Sequence, residues 1–481
     1  MIADRHIIPD HFIFNFFKLL IMHYLKYKCL LILCFLAISA YAQQPAPLSL
    51  KALLTTVDQK APALLADSAA ISIKLAQANE VRNNWLPNLK LNYQADVGTN
   101  NNVAGGYFGF GIVPSNSSGV RATSKTDAAL FNLGIASFDW EAYNFGAYGA
   151  QNKVANSDVT VERNNFQSSK YRLQAYAIGG YLALMRLQDY LAIQARTIQR
   201  NKQIRKSIQS LAKSGVRPGV DTSIAEAELS KARLNYIELD NQFKQVQLQL
   251  SAISGLPSQS IIPDTLMGDK LSNEIGTPAL INIDTTNHPY ITYYKSLIQN
   301  SREREDLVRK QYNPKILLEA AAWGRGSSIE NDRFGALSNG WGFDRSNYLV
   351  GLGVSYNLFD LRRKQLKLRT QKTATDYASK RLDEQKSLLE LSINQADVEL
   401  NTAKQRLQEI PDQLKAATAG YRQKLSLYNS GLTDIIDLNA ALNILYRAET
   451  DYAQARYAYT SALFQKAITG NQLPSVLNLL N

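Results

Sequence analysis

The stretch "YNSGLTDIIDLNAALNILY" (residues 428–446) has an earlier counterpart in "AKSGVRPGVDTSIAEAELSKARLNY" (residues 212–236). In each, a Ser-Gly pair closes a long helical pattern, an Asp stands six residues after the Gly, and an Ala/Leu-rich helical pattern restarts. Gly215 and Gly431 suit the left-handed conformation that commonly ends helices. The pair therefore predicts two long helices, each reversed at its far end by the same turn.

Working outward, the rest of the chain repeats itself at low identity, which marks a duplicated unit. "NNWLPNLKLNY" (83–93) answers "RKQYNPKILLE" (309–319), each with a Pro where a helix gives way to a strand. "SGLP" (254–257) and "TGNQLP" (469–474) close the two halves. The order in both is helix, strand, loop, strand, very long helix, Ser-Gly turn, helix. The expected organisation is a signal segment over 1–42, a first structural repeat over 43–265 and a second over 266–481.

Helical periodicity is strong. Leu389, Ile393, Ala396, Leu400, Ala403, Leu407, Ile410, Leu414, Ala417 and Tyr421 alternate spacings of four and three. Ala225, Leu229, Ala232, Tyr236 and Leu239 begin a second such run, and Leu438, Ala441, Leu445, Ala448 and Tyr452 a third. This is the 3.5-residue period of coiled-coil packing. Continuous helices from about Ala147 to Leu211 and from about Leu361 to Tyr428 would each be rods of roughly 100 Å at 1.5 Å per residue. Pro411 interrupts one backbone hydrogen bond of the second, but the heptad phase passes through it, which predicts a kink rather than an end.

Strand signal is clearest in "LKLNYQADV" (89–97), where Leu89, Leu91, Tyr93, Ala95 and Val97 alternate with polar residues, and in "YLVGLGVSYN" (348–357). A strand apolar on one side belongs to a soluble sheet or to a barrel with lipid outside and water inside. Segments 98–127 and 324–347, rich in Gly, Asn and Ser, read as long polar loops. Two strands per half give four per chain, too few to close a channel-forming barrel alone.

The N-terminus carries Lys26 and Lys28, an apolar run from Leu30 to Ile38, and "SAYAQQ" with Ala40 and Ala42. This reads as a secretory signal peptide cut after Ala42, with Met22 a second candidate start. Cys29 and Cys34 fall inside it, as do His6, His11 and His23, so the exported chain has no cysteine and one histidine, His288. Soft-metal and thiol chemistry are thereby excluded, and no cofactor or catalytic group is expected. Residues 1–42 hold four basic and two acidic groups, so the exported chain keeps +10 of the formal +12. That charge is scattered over helical faces rather than clustered with aromatics, which argues against nucleic acid. The longest uncharged helical stretch, Leu173–Met185, is too short to span a bilayer, so any membrane span must be made of strands.

The signal peptide, duplicated halves, paired strands, long coiled-coil helices and Gly-x5-Asp turns together resemble the TolC-like outer-membrane efflux proteins. The resemblance covers nearly all of residues 48–475. It implies a mainly α protein with β: a homotrimer in which each copy gives four strands to one outer-membrane barrel, continued by a long periplasmic helical tunnel. It further implies a passive, non-enzymatic duct working with a periplasmic adaptor (membrane fusion) protein and an inner-membrane pump, set in outer-membrane lipid. The rival reading is a secreted coiled coil that bridges envelope layers without conducting.

On that resemblance the turns become the periplasmic tip. Asp221 and Asp437 match the position of an acidic ring at the entrance; the alternative is that each caps its returning helix. The chain departs from the family at Ala440, where some members carry an acid, and at Thr433, where some carry Arg. Tyr428 matches, Arg217 supplies the Arg-type position in the first repeat, and Asp434 offers a substitute charge. Ser214, Gly215, Val216, Ser430, Gly431 and Leu432 resemble the motif that meets the adaptor's helical hairpin.

Overall fold

The computed structural model describes residues 47–101, 123–215, 218–264, 285–330 and 333–478. The signal-peptide reading, most of the first loop and the linker between the halves lie outside them. In chain order the elements are α1 (Leu50–Lys60), α2 (Pro62–Asn83), β1 (Asn88–Gly98), β2 (Ala129–Tyr143), α3 (Ala147–Lys213) and α4 (Gly219–Ser254). Then follow α5 (Pro289–Lys310), β3 (Lys315–Ser327), β4 (Arg345–Ser355), α6 (Asp360–Asn429), α7 (Ile435–Thr469) and α8 (Leu473–Asn478). Both long helices run as the heptads require, and α6 continues through Pro411. Among the described residues no helix is long and apolar enough to cross a membrane.

The chain divides into two compact units. One holds Leu65–Ser169 and Thr285–Leu391 and contains the sheet. Its strands are antiparallel in the order β1-β2-β3-β4, leaving β1 and β4 as open edges. Directly opposed residues share a face, and side chains alternate along each strand. The register Leu91↔Ala136↔Ala322↔Tyr348 and Leu318↔Leu352 therefore brings apolar residues of all four strands to one face, while Phe131, Leu133, Ile135, Leu317, Trp323 and Leu349 lie on the opposite one. Lys90, Asn92, Gln94, Ser137, Glu319 and Asn347 take the other. Much of the apolar face is bare, Leu91 being 80% exposed and Val354 74%, while Leu130 and Asn132 at its other end are covered. Gly324–Ser327 and Arg345–Asn347, read from sequence as loop because the glycines carry no alternating side chain, belong to β3 and β4. Below the sheet, Trp85 meets Trp140 edge-on at 5.1 Å, and Trp140 Nε1 donates to Trp85 O at 2.9 Å. Asp158 on α3 takes Arg304 at 2.7 Å and Asn300 at 2.6 Å from α5. His288 caps α5, its Nδ1 accepting from Tyr290 N.

The other unit holds the described residues of Met1–Leu64, Lys170–Asp284 and Ser392–Asn481. α1 buries Leu50, Leu53, Leu54 and Val57, one face of a helix that starts on the Ser49 cap. A Cβ on Gly180 of α3 would come within 2.8 Å of Leu250, so that glycine sets the close approach of α3 and α4. The segment before α1 is strapped down: Leu48 N donates to Ile262 O at 2.7 Å, and the buried Tyr181 hydroxyl donates to Leu48 O at 2.8 Å and accepts from Asp264 N at 2.9 Å. The heptad residues of α6 and α7 are buried or half-buried as expected, but Tyr236 of α4 is exposed.

Candidate functional site

The two turns are brought onto one apolar cluster. Ile204 and Ile208 of α3, Ala225 of α4, Ala417, Tyr421 and Tyr428 of α6, and Ile435, Leu438, Leu442 and Leu445 of α7 are buried together. Heptad spacing accounts for this, since each helix presents its seam to the others.

The second turn is fully defined. Gly431 has φ +79°, Leu432 N donates to Leu427 O at 2.9 Å, and Gly431 N to Tyr428 O at 3.1 Å. That pair of bonds is the Schellman closure, which a Cβ at Gly431 would strain. Ser430 folds back onto its own helix, Oγ donating to Ser426 O. Leu432 projects into solvent at 75% exposure, with Ile436 exposed beside it. α7 then starts on Asp434, whose carboxylate accepts from Asp437 N at 2.9 Å. Asp434 is thus the cap of the second returning helix, the role weighed at the sequence level for Asp437, and its charge is engaged there.

Asp437 instead sits in the first turn of α7 with its carboxylate half-exposed. Lys424 Nζ donates to its Oδ2 at 2.6 Å and Thr433 Oγ1 at 2.8 Å. Lys424 first, and the Thr433 hydroxyl second, hold this carboxyl below its usual range. The threonine that departs from the family's pattern therefore has a defined job, steadying the acid beside it.

The first turn matches in part. Gly215 has φ +74° and donates to Ala212 O at 3.1 Å, while Ser214 Oγ donates to Leu211 O. Val216 and Arg217 lie outside the described residues. α4 starts after Pro218, which has no side chain able to cap, and Asp221 lies in its first turn at 8% exposure. The two equivalent acids thus have different surroundings, Asp437 in water and Asp221 buried.

Sequence reading missed the links that tie the helices above the turns. Arg200 of α3 grips Glu449 of α7 with two bonds, 2.9 and 2.8 Å, and packs over Tyr421. Arg205 reaches Glu226 of α4 at 2.8 Å. Lys424 was missed as well, because it stands thirteen residues from Asp437 and across a turn, where local spacing rules do not look.

The sequence profile described as "Outer membrane efflux protein" matches residues 53–256 and 286–465. None of the proteins of curated function matches the chain. Among solved structures, the outer-membrane channel OprN is similar over 88% of this chain and 91% of its own, at 18% identity and a TM-score of 0.67. The outer membrane protein VceC of Vibrio cholerae is similar over 88% and 96%, at 14% identity and a TM-score of 0.68. The CmeC outer membrane channel of Campylobacter jejuni covers 90% and 89%, at 12% identity and a TM-score of 0.68. This chain belongs to the outer membrane efflux protein family, channels rather than enzymes, which lie in the outer membrane and extend into the periplasm.

Proposed function

We propose that the protein is the outer-membrane channel of a tripartite efflux or secretion system, a passive duct from a periplasmic adaptor and an inner-membrane pump to the exterior. The observation that carries this reading is the four-stranded sheet with two open edges and one bare apolar face. Open edges demand further strands, and the apolar face demands lipid. Copies of the same chain, joined edge to edge as a homotrimer, meet the first demand, and the outer membrane meets the second. The helices argue the same way: besides the buried seam, α4 presents Leu234, Ile237 and Leu248 to solvent, and Leu234 lies two heptads from Leu248. In this reading residues 43–265 and 266–481 are two repeats of one plan.

The turns form the periplasmic entrance. Asp437, half-exposed, and Asp221, behind the surface, contribute its acidic lining, with Asp434, Tyr428 and Arg217 shaping it. Ser214, Gly215, Val216, Ser430, Gly431 and Leu432 meet the adaptor, Leu432 offering the most exposed apolar contact. The test is planar-bilayer conductance of the detergent-purified protein with its mass determined alongside. A trimer giving cation-preferring openings supports the duct. A monomer, or a trimer that never conducts, sinks it in favour of a rod that bridges envelope layers.

A further inference from the structure

Strands β3 and β4 are joined by residues 328–344, a segment that the sequence presents as a polar loop. It does not stand clear of the sheet. A short helical turn, Leu337–Trp341, leads to Phe343, and this stretch lies against the apolar face, beside the residues that address lipid. The register places Gly134, Gly324, Gly326 and Asn132 on that face, in line with Tyr93 and Leu91. Phe343 fills the space those glycines leave: a Cβ on Gly134 would meet its ring at 2.8 Å, and one on Gly324 at 2.9 Å. A Cβ on Gly326 would run into the Gly342 carbonyl oxygen. The ring also meets Tyr93 edge-on at 6.3 Å.

Both ends of the segment are pinned. Gly335 N donates to Ser328 O at 2.8 Å, and Ser328 N to Leu130 O at 2.9 Å. At the other end Asp344 N donates to Arg325 O at 2.8 Å, and the Asp344 carboxylate accepts from Ser327 N at 2.9 Å. Between them Asn132, the one amide side chain on this part of the face, is 4% exposed and donates to Gly342 O at 2.9 Å. Leu337, Trp341 and Phe343 themselves remain 46, 59 and 58% exposed.

We propose that residues 337–343 are a lipid-facing clasp: the hairpin loop folds down outside the barrel, and Leu337, Trp341 and Phe343 contact the outer leaflet instead of overhanging the pore. This rests on the reading that the apolar face of the sheet meets lipid. Without the segment, the upper part of that face would offer the bilayer bare glycine backbone and an amide, both costly in hydrocarbon. The segment covers those groups and replaces the missing side chains with three apolar ones, two of them aromatic. Aromatic rings suit the boundary between acyl chains and headgroups. The occupant of the exposed surface is therefore membrane lipid, because the patch continues the lipid-facing surface without a break.

Residues 43–481 hold no cysteine, so single nitroxide labels can be placed in the trimer built from them in phosphatidylcholine vesicles, using Leu337→Cys, with Leu352→Cys as lipid-facing reference and Asn347→Cys as lumen-facing reference. Accessibility to oxygen, which concentrates in the bilayer, is compared with accessibility to a water-soluble nickel chelate. The label at 337 is expected to match the 352 reference. Matching the 347 reference would place the loop in water and overturn the clasp. A reference at 352 that itself reads as aqueous would overturn the barrel reading instead. In a Gly324→Val background, where the added side chain displaces Phe343, the label at 337 should lose its lipid signature while the one at 352 keeps it. An unchanged signature at 337 would show that the seat on the glycines does not hold the segment, and the proposal would fall.

Discussion

Replacing Arg200 by Met is the sharpest test of how the helices above the entrance are held. In the intact chain the guanidinium makes two bonds to Glu449, and the side chains are only 23% and 12% exposed. After the change, the carboxylate keeps, among the described residues, only Arg196, at 3.9 Å. Removing one partner of a buried pair costs about 3–5 kcal/mol, because the other charge stays desolvated. Partial exposure and Arg196 reduce this to about 2–3 kcal/mol. At about 1.4 kcal/mol per factor of ten, amides that exchange by local opening around 196–208 and 442–452 should exchange roughly 30- to 150-fold faster in the Arg200→Met variant. Mass-detected hydrogen exchange reads this directly. The double change Arg200→Met with Glu449→Leu removes the stranded charge and should restore most of the protection. Unchanged exchange in the single variant would mean that the pair is worth no more than an exposed one. A double variant as loose as the single would mean that the stranded carboxylate is not the cause.

Four further outcomes follow from the same geometry. Lys424→Met frees the Asp437 carboxylate from its compensating cation, so conductance should become more cation-selective, whereas Lys424→Arg should leave selectivity unchanged. Asp437 is held low in the folded state, so its contribution is present above the ordinary carboxylate range of about 4 and is lost as pH falls through the lowered value. With Lys424 gone the carboxyl is no longer held low, so the loosening of 430–440 on acidification, followed by hydrogen exchange, should become smaller. Tyr181→Phe leaves Leu48 O and Asp264 N each short of a buried bond, and the strap before α1 should lose about 2–4 kcal/mol, seen as faster exchange at Asp264 and easier proteolysis near residue 48. Leu234→Glu, on the exposed stripe of α4, should lower the trimer fraction in detergent by analytical ultracentrifugation while leaving helix content by circular dichroism unchanged.

Long-range periodicity was the legible part of this sequence. The heptads placed both long helices within two residues of their ends, and correctly carried α6 through Pro411, because a seam kept in phase is packed on both sides of the proline. Alternation likewise assigned the faces of β1 and β4. What sequence could not show depends on contacts across turns. Glycines in β3 read as loop because they carry no alternating side chain, although their lack of one is what seats Phe343. Asp434 could have been recognised as a cap: an acid three residues before a first-turn acid is a capping-box spacing, although here Asp437 turns to Thr433 and Lys424 rather than back to the cap. Asp221 and Asp437 are equivalent in the repeat, yet duplication says nothing about burial, and the fold gives them different surroundings.

The two compact units have separate unmet demands, and these favour the duct over its rival. Among the described residues the sheet unit lacks strand partners at β1 and β4 and lacks cover for most of an apolar face; a soluble rod would leave both in water, where long open edges invite aggregation. The helical unit lacks partners for Leu234, Ile237 and Leu248 of α4. One kind of partner, a further copy of the chain, answers the edges and the stripe together, while only lipid answers the face. If these demands are met in one assembly, barrel and tunnel form cooperatively. A change confined to the helical stripe, such as Leu234→Glu, should then abolish the heat-modifiable migration of the barrel although no strand residue is altered. Retention of a heat-modifiable barrel in that variant would mean that the strands assemble independently of the helices, and that the stripe serves a different partner.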